Sequence, residues 1–251
     1  MSLPTPASAA SQRRPRVLLF DVFGTLVDWR RSVARAAAAA LQAHGLSDEA
    51  QALAFADAWR AQYQPSMQAV RSGALPFCKL DVLHRHNLER VLADWGLLAQ
   101  VDEPTRAALT LAWHRLDAWP DVAEGLAELR RRCLLAPCSN GNLSLMANLA
   151  RHNGWHWDAI LGAEWARDYK PQPVVYQAAV QAFDVLPGEA MMVAAHSSDL
   201  AAAAACGLRT AFIARPDEHG PGTGESRPSG PVDLVATSLV DMARQLASWP
   251  A

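Results

Sequence analysis

Apolar positions along the chain follow two rhythms. Val17 to Phe20 is an unbroken apolar run ended by Asp21, the mark of a strand buried on both faces. From Arg31 to about Arg115, Leu, Ala, Trp and Val recur at three- and four-residue spacings, which predicts helix after helix and no strand to partner the first one. Beyond Trp119-Pro120-Asp121 short apolar runs alternate with helical patterns. A helix capped by Asp121 and reaching Arg132 leads into a strand from Cys133 to Cys138, a helix from Gly141 to Asn153 and a short strand from Ala159 to Gly162. A helix from Pro173 to Phe183, a strand from Met191 to Ala195, a helix from Ser198 to Cys206 and a strand from Thr210 to Ala214 follow. Pro216 to Pro231 is too rich in Gly, Pro and Ser to be other than a loop, and a strand from Leu234 to Ala236 and a helix to Trp249 close the chain.

Alternation of this kind predicts an α/β fold, a doubly wound (Rossmann-like) parallel-sheet core with helices on both faces. The core is expected from residues 14–28 and 117–251, a helical cap from residues 29–116 inserted between them, and a flexible tail over residues 1–13. A length of 251 residues suffices for one large core or a core with a smaller domain.

Charge and cysteine usage narrow the partners. A net charge of −2 gives no basic surface on the scale that nucleic acid demands, and Arg130, Arg131 and Arg132 read as the solvated end of a helix. Cys78, Cys133, Cys138 and Cys206 lack metal-binding spacing and suggest no disulfide framework, so a reducing, cytoplasmic setting is expected. The N-terminal segment has no apolar signal region, and no window is long and apolar enough for a bilayer, which argues against a membrane partner.

In an open parallel sheet, ligands bind where the carboxyl ends of the strands converge. Four such places carry polar residues: Asp21 and Thr25, then Ser139-Asn140-Gly141-Asn142, Tyr169-Lys170-Pro171 ahead of a helix, and His196-Ser197-Ser198-Asp199. Singly, each is an ordinary turn or surface group. Together they place two carboxylates, a hydroxyl, an amide and an ammonium in one crevice.

Asp21-Val22-Phe23-Gly24-Thr25-Leu26, Ser139-Asn140, Lys170-Pro171 and Asp199 resemble the four motifs of the haloacid dehalogenase superfamily, and the helical stretch after the first motif resembles its cap. Most of that superfamily are phosphatases that use Asp-x-Asp and magnesium. Here Phe23 stands in place of the second aspartate and cannot protonate a leaving oxygen, while the fourth motif, Ala194-Ala195-His196-Ser197-Ser198-Asp199, offers one carboxylate. Halide needs no such proton, so the opening motif, continued by Asp28-Trp29, is similar to that of the 2-haloacid dehalogenases.

The resemblance implies an enzyme that converts short 2-haloacids to 2-hydroxy acids through an aspartyl ester, with no metal or other cofactor. Asp21 is then the nucleophile, Lys170 keeps it ionised, and Thr25 bonds a carboxylate or the developing oxyanion. Ser139 and Asn140 offer donors to the substrate carboxylate, and Asp199 accepts a proton from water or holds Lys170. Arg60 matches the arginine that closes over the halide, and Tyr176 is either a site tyrosine or a core one. His196 departs from the more usual asparagine and is either a proton relay or a structural histidine. Stretches such as Val193-Ala194-Ala195-His196, Trp59-Arg60 and Tyr63-Gln64-Pro65-Ser66-Met67 are similar to a branch with members that handle fluoroacetate, which makes fluoride release a hypothesis. The L enantiomer and a homodimer are implied by resemblance alone. A magnesium-dependent phosphatase or phosphonatase and a non-catalytic binding protein on the same fold are the alternatives.

Overall fold

A computed structural model describes residues 13–46 and 48–250. The expected tail therefore lies outside the described residues except for Arg13, whose carbonyl accepts a bond from the Arg209 guanidinium. The first strand, β1 (Val17–Phe20), is followed by helices α1 (Trp29–Leu41), α2 (Glu49–Ala61), α3 (Tyr63–Arg71), α4 (Leu80–Asp94) and α5 (Glu103–Thr110). Then come α6 (Val122–Arg130), β2 (Leu134–Ser139), α7 (Leu143–Asn153), β3 (Leu161–Gly162), α8 (Ala163–Ala166), α9 (Pro173–Gln181), β4 (Ala190–Ala194), α10 (Ser197–Ala205), β5 (Arg209–Ile213), β6 (Leu234–Ala236) and α11 (Leu239–Ala247).

The six strands form one parallel sheet in the order β3-β2-β1-β4-β5-β6, with Val17 level with Leu134 on one side and with Ala190 on the other. β1 is the strand at which the winding reverses, so the crevice for ligands opens beyond Phe20. Apolar side chains cover both faces of the sheet. Leu18 and Phe20 face a cluster continuous with the helical insertion through Trp29, Trp59 and Trp113, and Val17 and Leu19 face the other with Tyr176 and Val175.

Side-chain caps start several of the helices. Asp28 caps α1 by accepting from Arg31 N–H, Asp48 caps α2 through Gln51 N–H, and Ser238 caps α11 through Asp241 N–H. Asp121 is different: its side chain does not cap α6 but takes both Arg215 nitrogens, at 2.8 and 3.0 Å, and Leu239 N–H at 2.7 Å. A carboxylate met by a guanidinium fork and an amide from another element is held more strongly than one capping its own helix. Asp28 N–H bonds Asp117 C=O at 2.9 Å, so the two ends of the helical stretch between β1 and α6 lie side by side.

Strand and helix ends shift by a residue or two from the expected bounds. At α7 the start moves two residues, from Gly141 to Leu143, because Ser139 to Asn142 makes a tight turn in which Gly141 N–H bonds Ser139 Oγ at 3.1 Å.

Candidate active site

Asp21 is the residue after β1, its N–H bonded to Val193 C=O at 2.9 Å, so its position is set by the sheet ladder. The side chain is almost fully buried, and three groups meet its carboxylate. Lys170 Nζ donates to Oδ1 at 2.9 Å, while Oδ2 accepts from the Thr25 hydroxyl at 2.7 Å and from His196 Nδ1 at 3.0 Å. Thr25 is itself fixed, since its Oγ accepts from Ala195 N–H at 2.9 Å. Each carboxylate oxygen has room for about two hydrogen bonds. Oδ2 is therefore filled, and Oδ1 keeps a free lone pair on the cavity side.

Burial alone would raise the Asp21 pKa, but Lys170, His196 and Thr25 outweigh it and hold the carboxyl well below the usual carboxylate range. Lys170 is bridged between Asp21 and Asp199, whose Oδ2 lies 2.5 Å from Nζ. Burial opposes its charge, yet the two carboxylates keep it protonated above the ordinary lysine range. Tyr176 donates to the other Asp199 oxygen at 2.5 Å, and burial with that carboxylate pushes its phenol up. The tyrosine that sequence left between core and site is thus both fully buried and a partner of Asp199.

His196 lies between two acids, with Nδ1 at Asp21 and Nε2 at 2.8 Å from Glu218 Oε2. Burial pulls its pKa down, and the hydrogen bonds to Asp21 and Glu218 more than reverse that, so it is pushed up to about 10. The ring is then a cation, and both nitrogens donate. Because the folded value lies above the unfolded one of about 6.5, its stabilisation is complete below that pH and is lost as pH rises toward 10. The expected result is a melting temperature that falls between pH 7 and 10 more steeply in the native chain than in His196→Gln, read by thermal denaturation across that range. Parallel curves would refute the charged pair.

Glu218 was not singled out in the sequence. It sits in the Gly- and Pro-rich loop after β5, where an acid reads as solvated, yet it is 2 % exposed and also accepts from Trp29 Nε1 at 3.1 Å. Gly24 makes room for it: at φ +83° a Cβ there would fall 2.1 Å from Glu218 Oε1. The same loop sends Glu225 to Ser197, whose N–H and hydroxyl it accepts. The fourth motif supplies its one carboxylate, Asp199, and the loop after β5 brings two more beside that strand end. Among the described residues no group of three or more His, Cys, Asp or Glu is arranged to hold a metal ion.

A cavity of about 620 Å³ opens over Asp21, walled by Phe23, Arg60, Tyr63, Asn140, Lys170, Tyr176, His196 and Asp199. Arg60 reaches it from α2, its guanidinium 4.0 Å from the Tyr63 ring centre and 5.3 Å from that of Trp29. Its Nη1 is buried without a hydrogen-bond partner among the described residues. Asn140 turns its oxygen to Lys170 N–H at 2.8 Å, which leaves its amide nitrogen toward Tyr63 and the cavity. Ser139 is fully buried and is not part of the cavity wall; its Oγ accepts from Gly141 N–H, which leaves the hydroxyl proton free to donate. Tyr63, unassigned in the sequence, is the flat face on which Arg60 rests.

The sequence matches the family model for haloacid dehalogenase-like hydrolases over residues 15–207. The chain belongs to that family. It is 30% identical to (S)-2-haloacid dehalogenase 1 of Pseudomonas sp. strain CBS-3 over 80% of this chain and 85% of that protein. Among solved structures it is similar to a defluorinating L-2-haloacid dehalogenase, with 46% identity, a TM-score of 0.91, and 95% of this chain and 98% of that one covered. A second L-2-haloacid dehalogenase structure shares 45% identity with a TM-score of 0.86, over 93% and 99% of the two chains. Within the haloacid dehalogenases the likeness therefore falls to the 2-haloacid branch. No helix among the described residues is long and apolar enough to cross a membrane.

Proposed function

We propose that this haloacid dehalogenase hydrolyses the carbon–halogen bond of short 2-haloacids, with Asp21 as a covalent nucleophile. The observation that carries the reading is the state of Asp21: an ionised carboxylate, oriented on one oxygen by Thr25 and His196, with a lone pair of Oδ1 free toward the cavity. Beside it stands Phe23, which excludes water and donates no proton. The names of the relatives support the same substrate class and the L enantiomer.

In the first step Oδ1 attacks C2 of the haloacid, a C–O bond forms, the C–X bond breaks, and halide leaves with the electron pair from the opposite face. Arg60 supplies the receptacle, since its unpartnered Nη1 is a buried donor and the guanidinium carries the charge that halide requires. His84 lies close by and stays neutral, burial pulling its pKa down to about 3, so Arg60 is the cation there. In the second step water attacks the Asp21 carbonyl carbon, and its proton passes to Asp199. The developing oxyanion on Oδ2 meets Thr25 and protonated His196 as donors already in place. His196, read from sequence as a proton relay or a structural histidine, takes in this mechanism a third role, that of a fixed cationic donor. Collapse breaks the ester C–O bond, the leaving oxygen takes the proton from Asp199 to give the 2-hydroxy acid, and the second proton of the water goes to solvent as the Asp21 carboxylate is restored.

Chloride release from chloroacetate and (S)-2-chloropropionate is expected to be unaffected by excess chelator, with no phosphate released from an aryl phosphate in the presence of magnesium. Fluoroacetate is included in the proposed range, on the strength of the defluorinating relative, and a fluoride electrode reads that outcome directly. Halide release that requires added magnesium, or phosphate release in place of halide, would overturn the reading.

A further inference from the structure

A two-carbon haloacid bound between Asp21 and Arg60 fills only the floor of the cavity, whose 620 Å³ lies in the range that holds much larger ligands. The outer part is polar. Gln64, Gln68 and Arg71 from α3, Gln172 and Ser198 from the core, and Glu225 all line it. Glu225 accepts from the neutral N–H and hydroxyl of Ser197 and forms no ion pair with Arg71, so the guanidinium is not bonded to the one carboxylate of this outer wall.

Arg71 is held, not loose. Its Nε bonds Gln68 Oε1 at 3.1 Å, Nη2 bonds Gln64 Oε1 at 3.3 Å and Nη1 bonds Lys170 C=O at 2.9 Å. All three acceptors are neutral, and it pairs with no carboxylate among the described residues. A guanidinium has five N–H donors, so two remain, one on each Nη, in the fork that suits a carboxylate. The contact with Lys170 C=O fixes this fork beside the residue whose ammonium holds Asp21.

We propose that Arg71 is a second anion subsite, and that the substrates of this chain include 2-halodicarboxylic acids whose distal carboxylate pairs with it. The inference rests on the haloacid reading above and extends it to a substrate class. The chemistry is unchanged: 2-halodiacid and water give 2-hydroxydiacid, halide and a proton, with Asp21 restored. Arg71 touches the far end of the substrate and takes no part in bond making.

The test compares halide release from 2-bromosuccinate, 2-bromoglutarate and 2-bromoadipate with the monoacids 2-bromobutanoate, 2-bromopentanoate and 2-bromohexanoate of matched length. At least one diacid is expected to exceed its monoacid in kcat/KM by about tenfold, the worth of one charge-assisted hydrogen bond. In Arg71→Gln that ratio is expected to fall to about one, chiefly through KM, and in Arg71→Lys to be partly retained. A ratio near one in the native chain, or a ratio above one that Arg71→Gln leaves unchanged, would overturn the subsite. Because the native ratio is read first, a variant that fails to fold does not remove the test. Should no haloacid of either series or chloroacetate react, the proposed function itself fails; monoacids that react while diacids lag dispose of the subsite alone.

Discussion

Asp21→Asn is expected to reduce halide release by about 10⁴-fold or more while leaving the fold in place. An amide is the same shape but is a poor nucleophile at carbon, and no other carboxylate shares its position. Asp199 is tied by Lys170 and Tyr176, and Glu218 by His196 and Trp29. The same ties explain why the variant folds: with the Asp21 charge gone, Lys170 still has Asp199, and His196 still has Glu218. Single-turnover reaction in heavy-oxygen water gives the complementary reading, with label expected in the Asp21 carboxylate of the native chain. Label found only in the hydroxy acid would mean direct attack by water, and the ester mechanism would fall.

Lys170→Met is expected to cost about 10²- to 10³-fold in kcat/KM, comparable to loss of one preorganised electrostatic partner, and to lower the melting temperature as well. Removal of one partner of a buried pair leaves the other uncompensated, at a cost of about 3–5 kcal/mol, and here two carboxylates lose the same cation. The pH profile separates this effect from simple misfolding. Lys170 is the largest influence lowering the Asp21 pKa, so its loss raises that pKa, and the acid limb of kcat/KM is expected to move to higher pH. The native chain, with Asp21 held low, should retain activity further into acid. An unshifted limb in a folded variant would show that Lys170 does not set the charge of the nucleophile.

Much of this was legible in the sequence because the features are local. The apolar run ending at Asp21, the helical period over α1 to α5 and the strand–helix alternation after Asp121 each depend on neighbours within a few positions, and the structure follows them to within a residue or two. Asp21, Thr25, Lys170, Asp199 and Arg60 fell into recognisable motifs, and the structure brings them together at one cavity, Thr25 from just behind its wall. Ser139 was harder to place, because a hydroxyl in a turn can face a ligand or its own backbone, and here its oxygen accepts from Gly141 N–H. Glu218 and Tyr63 were missed for other reasons. Glu218 meets Gly24 and Trp29 across most of the chain, and a glutamate among Gly and Pro carries no periodic signal; Tyr63 meets Arg60 only three residues away, but an aromatic at helical spacing reads as core.

β1 lies at the centre of the sheet, although it is the first element made, and its partners β2 and β4 begin at Leu134 and Ala190. A chain emerging from synthesis thus presents its most apolar strand, with the nucleophile attached, long before either edge of that strand can be paired. Contacts closed across so many residues form slowly and leave the strand open to wrong pairing in the meantime. Lys170 and His196 both reach Asp21 from the C-terminal half, so the carboxylate gains its charge partners only when that half has docked. A fragment ending before β4 is for that reason an aggregation hazard with an unassembled nucleophile, and refolding yield should depend on protein concentration more than the modest size of the chain suggests.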